Sequence, residues 1–209
     1  MVNGQWTPMD SGERSGDEDD WERAQIPDAD EIMDGIESIS LTPTEHQRIK
    51  DLLNGERLNR IKRFDRRYLV VGAGGDTAAA ERRMIVYDLL DERTDPPAIA
   101  TRLEDFGLTP EDIRLWGRVF DILCGEATHI VGVLEDFDGG YVWELGLLFA
   151  PEYRQKVWIL KRAYESEQEE RRRYENGMAA SHVELLLTGE QSVEWVDVED
   201  LKAATNKIP

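Results

Sequence analysis

The chain has 209 residues, with 44 acidic against 25 basic side chains and a formal net charge of −19. Such a charge argues against nucleic acid or an anionic membrane as the main partner, while 40% hydrophobic residues supply enough apolar surface for a core. Lysine is scarce, at positions 50, 62, 156, 161, 202 and 207, and arginine makes up the rest of the basic set. An acidic, lysine-poor surface is expected of a protein from a salt-accumulating halophile, where molar salt cuts the Debye length to ~3 Å. The single cysteine, Cys124, rules out an intrachain disulfide and reads as a small core residue. The three histidines, at 46, 129 and 182, have no metal-ligand spacing, so no metal is expected. There is no run of 18 apolar residues and no signal-peptide pattern, so the expectation is a cytoplasmic protein with no membrane partner.

Residues 1–30 are polar and acidic, with Asp17-Glu-Asp-Asp20 at the centre, and are expected to be a disordered tail. A helical extension is expected over 31–65. A short helix fits 28–40, and Thr42-Pro43 then opens an amphipathic helix through Ile49, Leu52, Leu53, Leu58 and Ile61. Gly55 is placed to interrupt it. The main domain is expected over 66–209. Tyr68–Val71 reads as its first strand, followed by the Gly72-Ala-Gly-Gly-Asp-Thr77 turn and a helix over 78–90. A short second strand is expected within 97–102. Thr109-Pro-Glu-Asp112 opens a helix that runs to about Glu126. His129–Leu134 reads as a buried strand and 140–150 as a helix. Lys156–Leu160 is the fourth strand. A charged helix over 165–175, a segment of mixed helical and strand character over 176–187, a strand over 192–196 and a terminal helix over 198–204 complete the chain. Alternating strands and helices predict an α/β fold: a three-layer flavodoxin/Rossmann-like parallel sheet with helices on both faces.

The stretch after the third strand carries the chemistry. Between Gly139 and Ala150 the only charged residue is Glu144. A lone carboxylate in an apolar helix is costly to bury, so it is expected to face a polar cavity or a donor. Asp138 precedes the same helix, where it either caps it or borders a pocket; Gly139, Gly140 and Tyr141 follow it. Asp121, on the preceding helix, reads as a solvated face or a third pocket carboxylate. The glycines Gly72, Gly74 and Gly75 sit between a strand and a helix, where they serve either a ligand or a tight turn. The turn is not a P-loop, and Thr77 stands where a dinucleotide-binding pattern has its third glycine.

These residues resemble the nucleoside 2-deoxyribosyltransferase family. The likeness rests on Val71-Gly-Ala-Gly74 after a strand and on Asp138-Gly-Gly-Tyr-Val-Trp-Glu144-Leu-Gly146, and it spans roughly residues 67–183. It implies that Glu144 is the nucleophile that attacks C1′ of the sugar. Asp138 would hold the sugar and Asp121 would assist the base. Asn176-Gly-Met-Ala179 stands for a family segment whose asparagine reaches a neighbouring subunit, which implies a homo-oligomer. The region between the first helix and Asp121 departs from the family, so base-recognition residues are not carried over. The expected activity is cleavage of a nucleoside or nucleotide N-glycosidic bond, or deoxyribosyl transfer, without a cofactor. The alternatives are a NAD-cleaving hydrolase of the related TIR-like proteins and a non-catalytic nucleotide-binding module.

Overall fold

Thr42 opens the first described helix with a reciprocal cap. Its Oγ1 accepts from the Glu45 amide at 3.3 Å, and Glu45 Oε2 accepts from the Thr42 amide at 2.7 Å. Pro43 follows at the first helical position of α1, Pro43–Leu53. The helix closes at Asn54, whose amide donates to the Lys50 carbonyl, and Gly55 follows where a Cβ would lie 3.1 Å from the carbonyl oxygens of Asp51 and Leu52. A second short helix, α2 (Glu56–Ile61), then buries Leu58 and Ile61. The computed structural model describes residues 41–137, 141–148, 150–175, 177–188 and 190–209, without the side chains at 110, 113, 141–143 and 187. The expected acidic tail and the helix at 28–40 lie outside the described residues. Helices α1 and α2 belong to one compact unit with the sheet, Thr42–Pro209, and an Arg57–Asp105 ion pair of 3.1 Å helps tie them to it.

Five strands form one parallel sheet: β1 (Arg66–Gly72), β2 (Ala98–Thr101), β3 (His129–Leu134), β4 (Val157–Arg162) and β5 (Ser192–Trp195). Their order is β2-β1-β3-β4-β5, and each adjacent pair is parallel. The connections carry α3 (Ala78–Asp91), α4 (Ile113–Glu126), α5 (Tyr141–Leu148), the short α6 (Pro151–Arg154), α7 (Glu167–Arg173) and α8 (Gly177–Thr188), and α9 (Val198–Thr205) follows β5. The segment of mixed character, 176–187, is thus helical where described. The charged helix α7 buries nothing, as its composition predicts.

Strand residues alternate between the two faces. On one face Tyr68, Val70, Val131, Val133 and Leu160 pack against Val86 and Leu90 of α3 and Leu201 and Ala204 of α9. The alternate residues Leu69, Val71, Ile130 and Ile159 are also buried; α4, α5 and α8 cover that side. A fully buried Leu or Ile contributes about 2 kcal/mol before entropy is counted, so two covered faces give this short sheet its stability. The strand order reverses between β1 and β3. The connection from β1 leaves toward α3 on one face and that from β3 toward α5 on the other. Such a divergence opens a crevice at the carboxyl ends of the strands.

Candidate functional site

A cleft of about 640 Å³ occupies that crevice. The end of β1 and the loop that follows it, Gly72 to Thr77, form one side. Leu103, Leu108, Trp116 and Phe120 line it with apolar surface, and Arg83, Glu104 and Glu144 bring charge. Trp116 is 40% exposed and is steadied by its indole N–H, which donates to the Thr109 carbonyl at 3.2 Å. The cleft therefore joins a flat apolar wall to a small charged end, a division suited to a ligand with one aromatic and one polar part.

Glu144 lies in the first turn of α5 and lines this cleft. Burial pushes its carboxyl up to about 7; the nearby Glu104 carboxylate adds to the rise and the Arg83 guanidinium opposes it. The residue is thus poised between its two protonation states near neutral pH, as an acid–base or nucleophilic group requires.

The glycines have separable causes. Gly72 has φ +145, and a Cβ there would sit 2.7 Å from the Val133 carbonyl oxygen, so the close approach of β1 and β3 demands glycine. Gly75 has φ +76 with open space around it, so its need is conformational. Both line the cleft, as does Gly74. Thr77 caps α3, its hydroxyl accepting from the Ala80 amide at 3.1 Å. This explains why a third glycine is absent.

Asp121 follows the cleft-lining Phe120 and, like Glu144, lies near enough to Cys124 to add to the rise that burial gives its thiol. Its carboxylate accepts a hydrogen bond from the Tyr153 hydroxyl, and it is not among the residues that line the cleft. Burial, followed by the bond to Asp121, raises the Tyr153 phenol. Asp138, Gly139, Gly140 and Asn176, and the side chain of Tyr141, lie outside the described residues. Cys124 is fully buried, and burial raises its thiol, so it is inert. Among the described residues no cluster of three or more His, Cys, Asp or Glu side chains could hold a metal ion.

Sequence reasoning passed over Arg83 and Glu104. Arg83 shares the buried face of α3 with Ala80, Val86 and Leu90. An arginine at an apolar-stripe position was the available signal. Its Nη2 donates to Glu104 Oε1 at 2.5 Å. Glu135 was also missed as an anchor. It is 7% exposed and accepts two bonds from Arg82, at 2.6 and 2.5 Å, and one from Arg162 at 2.8 Å. This knot fixes the point where β3 gives way to the segment leading to α5.

A second cavity, of about 480 Å³, has Phe137, Tyr164, Tyr174 and Lys161 in its lining. Lys161, Tyr164 and Tyr174 are engaged internally. Lys161 bridges Glu170 and Glu194. The Tyr164 hydroxyl donates to the Glu135 carbonyl and that of Tyr174 to the Arg162 carbonyl. The cleft at the strand-order reversal is the better site, because its titratable group is not consumed by packing.

Fold and cleft define a parallel α/β protein with an open cleft at the switch point of its sheet. The chain belongs to the family of unknown function DUF8170, whose model matches residues 22–206. No curated protein and no solved structure gives a significant match. Among the described residues no helix is long and apolar enough to cross a membrane.

Proposed function

We propose that this protein breaks or exchanges the N-glycosidic bond of a nucleoside or nucleotide, with Glu144 as the nucleophile. The observation that carries the reading is a single carboxylate, in an otherwise apolar helix, that lines the switch-point cleft. In this reading the base lies along the Trp116 and Phe120 wall and the sugar meets Glu144. The ionised Glu144 attacks C1′ as the C1′–N bond breaks. The base leaves with the bonding electron pair and takes up a proton. Water or a second base then attacks C1′ and releases Glu144. A carboxylate that is costly to bury gains most when positive charge develops beside it, which favours the transition state over the ground state. Asp138 keeps the sugar-holding role implied by the resemblance. Asp121, engaged by Tyr153, is given no step.

The test is an incubation with deoxynucleosides, ribonucleosides, their monophosphates and NAD in molar KCl, with free bases added, followed by chromatography. Exchange identifies a transferase and free sugar a hydrolase. Glu144→Gln is expected to lower either activity by about 10³-fold or more. An activity that survives this substitution sinks the reading, and binding without turnover across the panel leaves a nucleotide-binding module.

We further propose a homo-oligomer. Helices α5 and α8 contact each other, and they expose Leu147, Met178 and Leu185, the last two at 71% and 58%. Exposed apolar side chains of this size on a chain this acidic are a surface that a second copy could cover.

A further inference from the structure

Arg83 is 6% exposed and stands in the apolar stripe of α3. A buried guanidinium needs acceptors for five N–H groups. Nη2 has Glu104 at 2.5 Å, and Nη1 reaches the Gly72 carbonyl at 3.3 Å, beyond the usual range. Nε is buried with no partner among the described residues. A buried donor left in this way calls for an explanation, and an acceptor from outside the protein is one.

The position of Glu104 shows what kind of acceptor fits. Its side chain is 47% exposed and belongs to a short 3-10 turn, Leu103–Phe106. Its Oε1 nevertheless reaches back to Arg83 and lies 3.5 Å from where a Cβ on Gly74 would stand. An anionic group thus already sits between the guanidinium and the glycine loop, carried by a side chain that solvent could receive. The loop leads into the N-terminus of the 14-residue α3, where backbone amides and the helix dipole favour negative charge. Arg83 is the only cationic side chain among the described residues that line the cleft, so an anionic ligand group has one place to go.

We propose that Arg83 and the Gly72–Thr77 loop form a phosphate subsite, for which the Glu104 carboxylate stands in, and that the ligand is a nucleoside monophosphate rather than a free nucleoside. On binding, the phosphate takes Arg83 side-on through Nε and Nη2, and Glu104 turns out to solvent. Gly74 leaves the space that the phosphate fills. The identity of the ligand rests on the glycosidic reading above; the subsite itself does not.

Calorimetric titration of the full chain at fixed KCl tests it, with thymidine, thymidine 5′-monophosphate, adenosine, adenosine 5′-monophosphate, ribose 5-phosphate and inorganic phosphate as probes. At least one monophosphate is expected to bind about tenfold or more tightly than its nucleoside. Ribose 5-phosphate is expected to compete with it at millimolar concentration. Glu104→Gln removes the competing charge and is expected to tighten monophosphate binding several-fold relative to that of its nucleoside. Arg83→Lys keeps the charge but loses the side-on pair, and is expected to abolish the preference. Should that variant fail to fold, the half-exposed Glu104→Gln still decides the matter. Equal affinities for nucleoside and monophosphate, weaker monophosphate binding by Glu104→Gln, or no binding of any phosphorylated probe would overturn the subsite. Phosphate preference without turnover would keep it and remove the chemistry. Turnover of free nucleosides with no phosphate preference would do the reverse.

Discussion

Glu144 couples the cleft to the stability of the fold. Burial places its carboxyl near 7 in the folded chain, against 4.5 for an ordinary glutamate. Between those values the folded state holds a proton that the unfolded state has lost. Stability therefore falls as pH rises from about 4.5 to about 7, and the deficit persists above. Glu144→Gln cannot ionise, so it is expected to be the more stable form at pH 8, by up to about 3 kcal/mol, and to match the wild type at pH 4. Urea unfolding at the two pH values checks this; an equal difference at both would mean that the carboxylate is not desolvated. Its neighbours extend the argument. The opposing Arg83 and the reinforcing Glu104 are both cleft residues, so substitutions there are expected to shift this pH dependence, with Arg83→Lys a smaller change than Arg83→Gln. Gly72 makes a different demand. Gly72→Ala must hold a side chain at φ +145 against the Val133 carbonyl, and is expected to cost on the order of 2 kcal/mol or more in the same experiment.

At the scale of elements, the buried knot of Arg82, Glu135 and Arg162 ties α3, the end of β3 and the end of β4 together. Removing its carboxylate would leave two guanidiniums facing each other in a poorly solvated place. Glu135→Ala is therefore expected to cost about 3 kcal/mol, and to impair the segment leading to α5 beyond that loss. The measurement is hydrogen exchange: protection should fall first in β3 and α5, while a uniform loss would point to global destabilisation alone. Strands and helices were legible because each carries its own period: His129–Leu134 is apolar throughout, and Thr109-Pro-Glu-Asp reads as a helix start. Glu144 was legible because it is the one charge in an apolar run. Glu135 was not, since it lies among three nearby acidic residues and only the sheet brings Arg82 and Arg162 to it. Arg83 was hidden by its neighbour, as Arg82-Arg83 looks like a solvated pair until the helix face is drawn. The strand order is a long-range property, so the sequence placed Asp121 near Glu144 by analogy alone and gave no sign of the Tyr153 hydroxyl that its carboxylate accepts from. Helix α8 reads ambiguously because it is apolar on nearly every side and shows little helical period.

For the whole molecule, charge and association are one question. A net charge of −19 repels itself within the chain and between chains. Screening by molar salt is expected to raise the melting temperature and to permit self-association. The exposed stripe formed by Leu147 of α5 with Met178 and Leu185 of α8 is the surface on which copies would meet. Sedimentation velocity at low and at molar KCl is expected to show a shift from monomer toward oligomer. Leu185→Glu places a further negative charge in the stripe, and should hold the chain monomeric at molar KCl without lowering its melting temperature as a monomer. Salt acts on both forms of the protein, but only the variant separates contact from screening. If the wild type stays monomeric at molar KCl, the stripe serves no second copy. If Leu185→Glu associates as readily as the wild type, association proceeds through another surface. Because α5 carries Glu144 as well as Leu147, an oligomer formed here would set the helix of the proposed nucleophile against a partner. Turnover that rises with protein concentration, faster than in proportion, is then the kinetic sign of assembly, and Leu185→Glu should remove it.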